Sequence, residues 1–196
     1  MTRFVGLTGG IGAGKSEALA AFERQGAATL STDRVAHDLL DDEQVKAALV
    51  ERWGEEIAPG GSVDREKVGE IVFENRDELS WLESVTHPRV GAHVMEWRQG
   101  LDPDVEVAVV EVPLLFEAAM EGAFEATVAV VADDGIRDAR LRERGQGGLE
   151  GREARQLDQE EKARRADHVI RNDASLDELE SEVSRVIEEL SGRDAG

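Results

Sequence analysis

Phe-Val-Gly-Leu-Thr-Gly-Gly-Ile-Gly-Ala-Gly-Lys-Ser-Glu-Ala-Leu-Ala-Ala-Phe, residues 4 to 22, reads as a short apolar strand, a glycine-rich turn and the first turns of a helix. Within it, Gly9, Gly14, Lys15 and Ser16 match the phosphate-binding pattern G-x-x-x-x-G-K-[ST]. Glycines let the backbone curl so that consecutive N–H groups point inward at a polyphosphate. The helix N-terminus adds partial positive charge behind that nest. Lys15 is placed to reach β- and γ-phosphates, and the Ser16 hydroxyl to hold Mg2+. The competing reading is an ordinary glycine turn between strand and helix. The strand before the motif and the helix after it favour a nucleotide-phosphate site formed by Gly9, Gly10, Ile11, Gly12, Ala13, Gly14, Lys15, Ser16 and Glu17.

Outward from that loop, composition narrows the class. The 196 residues suffice for one sizeable core with appended subdomains, and hydrophobic residues at 40% suit a globular protein. Without cysteine there is neither a disulfide framework nor a thiolate metal site. No apolar run approaches membrane-helix length and the N-terminus lacks a signal-peptide core, so a soluble cytoplasmic protein is expected. A net charge of −20 argues against nucleic acid or acidic membrane as partner. A polyphosphate ligand then demands a local reserve of positive charge. Arg137, Arg140, Arg142, Arg144, Arg152, Arg155, Lys162, Arg164 and Arg165 supply it in one stretch.

Taken in order, residues 3–8, 27–30, 106–112, 126–132 and 168–171 read as five short strands separated by helices. Such alternation specifies a parallel sheet with right-handed crossovers, here an α/β, P-loop NTPase-type three-layer α/β/α fold. Gly26 is a helix stop. Asp33, just past the second strand, is either a helix N-cap or a carboxylate at the sheet edge where α/β enzymes place catalysis. Helical periodicity then dominates to Gly100, with Pro59-Gly60-Gly61-Ser62 as a turn and His87-Pro88 interrupting the last part. His87 reads equally as a turn residue or a ligand. Glu111, near the end of the third strand, is either an outer-sphere magnesium group or a carboxylate facing a polar edge. Arg140 and Arg144 share a helix face at i,i+4 and together form a phosphate clamp. The segment 137–165 suits a lid over the phosphates, the nucleotide-binding core comprising 1–40, 104–136 and 166–196, and 41–103 a helical substrate-binding insertion.

These residues resemble the dephospho-coenzyme A kinase family over essentially the whole chain. The resemblance rests on residues 6–16, Thr-Asp-Arg-Val-Ala-His at 32–37, His87-Pro88 and Val-Pro-Leu-Leu-Phe-Glu at 112–117. Further on it includes Arg140-Leu141 with Arg144, then Gln156, Lys162, Ala166-Asp167 and Val-Ile-Arg-Asn-Asp at 169–173. It implies transfer of the ATP γ-phosphate to the ribose 3′-hydroxyl of dephospho-coenzyme A; a monomer or small homo-oligomer is expected. It also implies that Asp33 is the general base, Arg140 the lid arginine and Asn172 part of the adenine-contacting loop. Thr8 and His87 join Asp33 as substrate-binding residues on the same resemblance. Three positions depart from the family pattern: Glu17 stands for a threonine, Ser31 for the first acid of an Asp-x-Asp pair, and Thr86 for a leucine. The rival readings are another small-metabolite or nucleoside monophosphate kinase, and a non-catalytic nucleotide switch. The switch lacks an Asn-Lys-x-Asp guanine motif.

Overall fold

The apolar run that precedes the glycine-rich loop is the central strand of a five-stranded parallel sheet. The computed structural model describes residues 2–143, 145 and 156–192. Its elements are β1 (Arg3–Gly9), α1 (Lys15–Arg24), β2 (Ala28–Ser31), α2 (Thr32–Leu39), α3 (Glu43–Trp53), α4 (Arg65–Glu74) and α5 (Arg76–Gln99). They continue as β3 (Val107–Glu111), β4 (Ala126–Val131), α6 (Asp134–Glu143), α7 (Gln159–Arg165), β5 (His168–Arg171) and α8 (Leu176–Leu190). The strand order is β2-β3-β1-β4-β5, so the expected three-layer α/β/α architecture of P-loop kinases is the one observed.

Two compact units emerge: residues up to Ser31 with those from Leu101 onward, and Thr32–Gly100. In the first, β1 lies between β3 and β4, with Leu7 opposite Glu111 and Thr8 opposite Ala129. Every residue of β3 is buried, which is why its sequence shows no polar alternation until Glu111. One sheet face carries Val5, Leu7, Val109, Val128, Val130 and Ile170 against Phe22 of α1 and Leu179, Val183 and Val186 of α8. Ser175 caps α8 by accepting from the Glu178 N–H at 3.3 Å. On the opposite face Phe4 stacks on Phe124 with ring centroids 5.1 Å apart, and α7 packs on β4 and β1. Helix α1 stops where expected. The Gly26 N–H donates to Glu23 O at 3.0 Å and the Ala27 N–H to Phe22 O at 3.0 Å, the two bonds of a Schellman ending.

The second unit is helical. Leu40, Val45, Leu49, Ile57, Val63 and Val68 form its core. Asp42, Asp64 and Asn75 cap α3, α4 and α5 through their side-chain oxygens. Trp53 and Trp81 meet edge-on at 5.1 Å, and Glu78 ties them to Arg52 by accepting from the Trp53 indole at 2.8 Å and from Arg52 at 2.7 and 2.9 Å. Helix α2 packs on α5, and the compact units divide after Ser31 and after Gly100. One expectation is corrected here. His87-Pro88 does not interrupt the helix, because α5 runs unbroken from Arg76 to Gln99 with Pro88 inside it. Pro88 withholds the N–H due to the Ser84 carbonyl, a defect worth about 3 kcal/mol in a helix interior. Ser84, His87 and Pro88 are exposed, so water can serve that carbonyl. Just beside it, Thr86 donates to Leu82 O at 2.9 Å and Arg89 to Val85 O at 2.8 Å. Among the described residues no helix is long and apolar enough to cross a membrane.

Candidate active site

Strand β1 ends at Gly9 and α1 begins at Lys15, leaving five residues to reverse the chain at the carboxyl edge of the sheet. Gly9 is required by crowding: a Cβ there would lie 2.3 Å from Val130 O on the neighbouring strand. Gly14 is required twice over. Its φ is +91°, and a Cβ would lie 2.1 Å from Asn172 Nδ2. The Ala13 N–H donates to Gly10 O at 3.2 Å, closing the loop, while the Ala13 methyl is fully buried in the core. Among the described residues no side chain caps α1, and the partial positive charge of a helix N-terminus favours an anion there.

Lys15 folds back over this loop, its Nζ donating to Gly9 O and Gly10 O at 3.1 Å each. Ser16, next along, is exposed at the start of α1. Glu17, which stands where a hydroxyl is usual, is held along α1 by Arg24 at 3.0 Å, and Arg24 is shared with Glu180 at 2.5 Å. Its charge is therefore compensated in place.

Three side chains from two further segments grip the loop from outside. Asn172, buried just beyond β5, donates from Nδ2 to Ala13 O at 2.9 Å, while its own N–H donates to Val131 O at 2.9 Å. Arg140 on α6 donates to Ala13 O at 3.4 Å, to Asn172 O at 3.0 Å and to Asn172 Oδ1 at 3.3 Å. Arg137, one turn earlier, donates from Nε to Ile11 O at 2.9 Å and pairs with Asp134 at 2.8 Å. Sequence reasoning gave Arg140 a specific role and counted Arg137 only within the basic stretch. The i,i+3 spacing of the two on α6 was the available signal.

Thr8, the last side chain before the loop, is fully buried and donates its hydroxyl to Pro113 O at 3.1 Å. Arg144, expected to clamp phosphate with Arg140, lies outside the described residues. Glu111 is buried at the end of β3. Asp33 and His87 belong to the helical unit. Helix α2 starts at Thr32, so Asp33 sits inside its first turn rather than at the cap, and its side chain is exposed. His87 is exposed on α5. The structure thus brings together the loop, Arg140, Asn172 and Thr8 within one unit. Among the described residues no group of three or more His, Asp or Glu side chains gathers as a metal site.

Comparison with known proteins gives concordant results. The family model described as dephospho-CoA kinase matches residues 3–178. A dephospho-CoA kinase of Streptomyces avermitilis is 38% identical over 194 residues, covering 96% of this chain and 94% of the relative. In solved structures, a Thermus thermophilus protein superposes with a TM-score of 0.80 at 33% identity, covering 96% of this chain and 98% of its own. Dephospho-CoA kinase from Campylobacter jejuni superposes with a TM-score of 0.72 at 28% identity, covering 99% of this chain and 100% of its own.

Proposed function

The chain belongs to the dephospho-CoA kinase family, and from that premise we propose how its residues divide the reaction. It catalyses the ATP-dependent phosphorylation of dephospho-CoA in coenzyme A biosynthesis. In our reading the acceptor is the ribose 3′-hydroxyl. The phosphate loop from Gly9 to Glu17 receives the triphosphate, and Lys15 leaves its two carbonyl partners for the β- and γ-phosphates. Arg140 turns from Ala13 and Asn172 to the phosphoryl group in flight, while Asn172 borders the adenine. Asp33 orients the acceptor hydroxyl and accepts its proton late, as the loose transition state of phosphoryl transfer permits. Thr8 and His87 serve the substrate side, the first by fixing the strand end beside the loop.

The observation that carries this reading is the shared grip of Arg140 and Asn172 on the Ala13 carbonyl. That grip puts a mobile-length cation against the loop that must hold the nucleotide. The exposed Ser16 hydroxyl at the head of α1 suits Mg2+, which takes hard oxygen ligands and shares the rest with phosphates and water. When bound, the ion would offset the negative charge of the triphosphate. The working partner is a small molecule, with neither nucleic acid nor membrane, and the setting cytoplasmic. The net charge of −20 supports the first point by repelling other polyanions. The assembly is a monomer or small homo-oligomer.

A coupled ADP-release assay tests the acceptor. Turnover is expected with dephospho-CoA and not with AMP, CMP or shikimate. Coenzyme A, whose 3′-hydroxyl is already phosphorylated, should be inert. Phosphorylation of coenzyme A would place the transfer on another hydroxyl. Arg140→Ala should lower turnover by on the order of 10²-fold, as loss of a transition-state charge does. Arg142→Ala should leave it near wild type, because Arg142 is exposed on the same helix. Equal losses from the two would reduce α6 to a diffuse positive field.

A further inference from the structure

Helix α7 carries a lysine whose side chain is entirely buried, and nothing in the phosphate site described above uses it. Desolvating an ammonium group is costly unless its donors are matched. Lys162 Nζ has three donors and meets three oxygens: Pro113 O at 2.6 Å, Glu117 Oε1 at 3.0 Å and Thr8 Oγ1 at 3.4 Å. Burial pulls the Lys162 ammonium below the usual lysine range, and hydrogen bonding to Glu117 opposes that pull. Glu117 is itself tied down, because the same Oε1 accepts from the Leu157 N–H at 2.8 Å.

Those oxygens lie where the phosphate loop is set. Thr8 immediately precedes Gly9, whose carbonyl holds Lys15. Pro113 follows β3, which pairs with β1. One turn before Lys162 on α7, Gln159 locks the end of β4: its Nε2 donates to Ala132 O at 2.7 Å and its Oε1 accepts from the Ala132 N–H at 3.1 Å. Gln159 also backs the loop directly, since its Cβ is 3.3 Å from where a Cβ on Gly10 would stand. One helix face therefore pins the carboxyl ends of β1 and β4 and the segment just past β3, the edge where parallel sheets bind ligands.

We propose that Lys162 is a positioning residue for the nucleotide: through Thr8 and Pro113 it fixes the strand end from which the phosphate loop departs. This rests on the reading of that loop as the ATP site. Lys162 donates to Thr8 Oγ1, and the Thr8 hydroxyl in turn donates its hydrogen bond to Pro113 O at 3.1 Å. The hydroxyl is thereby locked in one orientation, and β1 cannot shift along β3 without breaking the chain of bonds.

The test is a double-mutant cycle between Lys162 and Thr8, read by direct ATP titration and by the split between KM for ATP and kcat. Lys162→Met should raise the ATP dissociation constant and KM about tenfold, the size of effect that a slightly misplaced binding loop produces. Thr8→Val should do part of this, and adding Lys162→Met to it should give no more than Lys162→Met alone. Lys162→Arg should restore part of the affinity. Multiplying effects of the two substitutions would overturn the proposal. If Lys162→Met fails to fold because it strands the Glu117 carboxylate, Lys162→Met with Glu117→Met removes both charges and decides instead. A folded Lys162→Met/Glu117→Met protein with weakened ATP binding supports the proposal, and one that binds ATP like wild type overturns it. ATP titration needs no acceptor, so failure here is distinct from a wrong acceptor. Absence of ATP binding by the wild-type protein would instead overturn the reading of the loop.

Discussion

Replacing Lys15 by alanine will lower phosphoryl transfer on the order of 10³-fold while moving the melting temperature by only a few degrees. The asymmetry follows from what Lys15 touches. Its Nζ meets two loop carbonyls, Gly9 O and Gly10 O, and its side chain is only half-buried. Losing two such bonds costs about 1–3 kcal/mol at most, since water can replace the ammonium at this edge. The catalytic loss is larger because no other group in the loop brings a full positive charge to the β- and γ-phosphates. Transfer passes through a loose transition state, so positioning and charge supply nearly all the rate. The measurements are ADP release at saturating ATP and dephospho-CoA beside a thermal melt. Near-normal turnover with an unchanged melt would remove the loop from the reaction.

The core was legible where one physical signal dominated. The apolar runs read as strands at 3–8, 106–112 and 126–132 form Arg3–Gly9, Val107–Glu111 and Ala126–Val131, and the glycine spacing marked the loop between β1 and α1. The register and the partners of the arginines were not legible, because both depend on what the sheet brings together. Arg137 reads in sequence like the surface arginines Arg164 and Arg165, which pair with Glu161. In the fold it donates to the Ile11 carbonyl. Lys162 carried part of the family resemblance, but its burial was not legible, since a lysine among Glu160, Glu161 and Arg164 looks solvated and is instead wholly buried. Helix α7 was expected to move with a lid. Gln159 and Lys162 anchor it to the sheet edge, and only side-chain contacts could reveal that. The break expected at His87-Pro88 failed for a different reason. Proline is a penalty, not a veto, and the part of it due to the unmet hydrogen bond is relieved where the orphaned carbonyl faces water.

Asp33→Asn will separate the two meanings of a carboxylate in the first turn of α2. As general base and acceptor anchor, Asp33 matters chiefly in the transition state, so the amide should cut turnover by about 10²–10⁴-fold with ATP affinity unchanged. As a structural residue it should tolerate asparagine. It lies in the first turn of α2, not at the cap, and is exposed. The substitution therefore removes only a charge–dipole interaction of about 0.3–1 kcal/mol, a shift of a few degrees in melting temperature. Asparagine also keeps the size and much of the hydrogen-bonding capacity of the side chain, so a folded variant is expected. Three readings on that one variant decide the matter: turnover at saturating dephospho-CoA, ATP titration and the melt. Steep loss of turnover alone assigns Asp33 to the chemistry. Loss of ATP affinity in parallel would point to a misplaced loop and not to a missing base. A stable variant with wild-type turnover would transfer the role to another carboxylate. Glu111, buried at the end of β3 and in register with Ser31 of β2 and Leu7 of β1, is then the group to replace next.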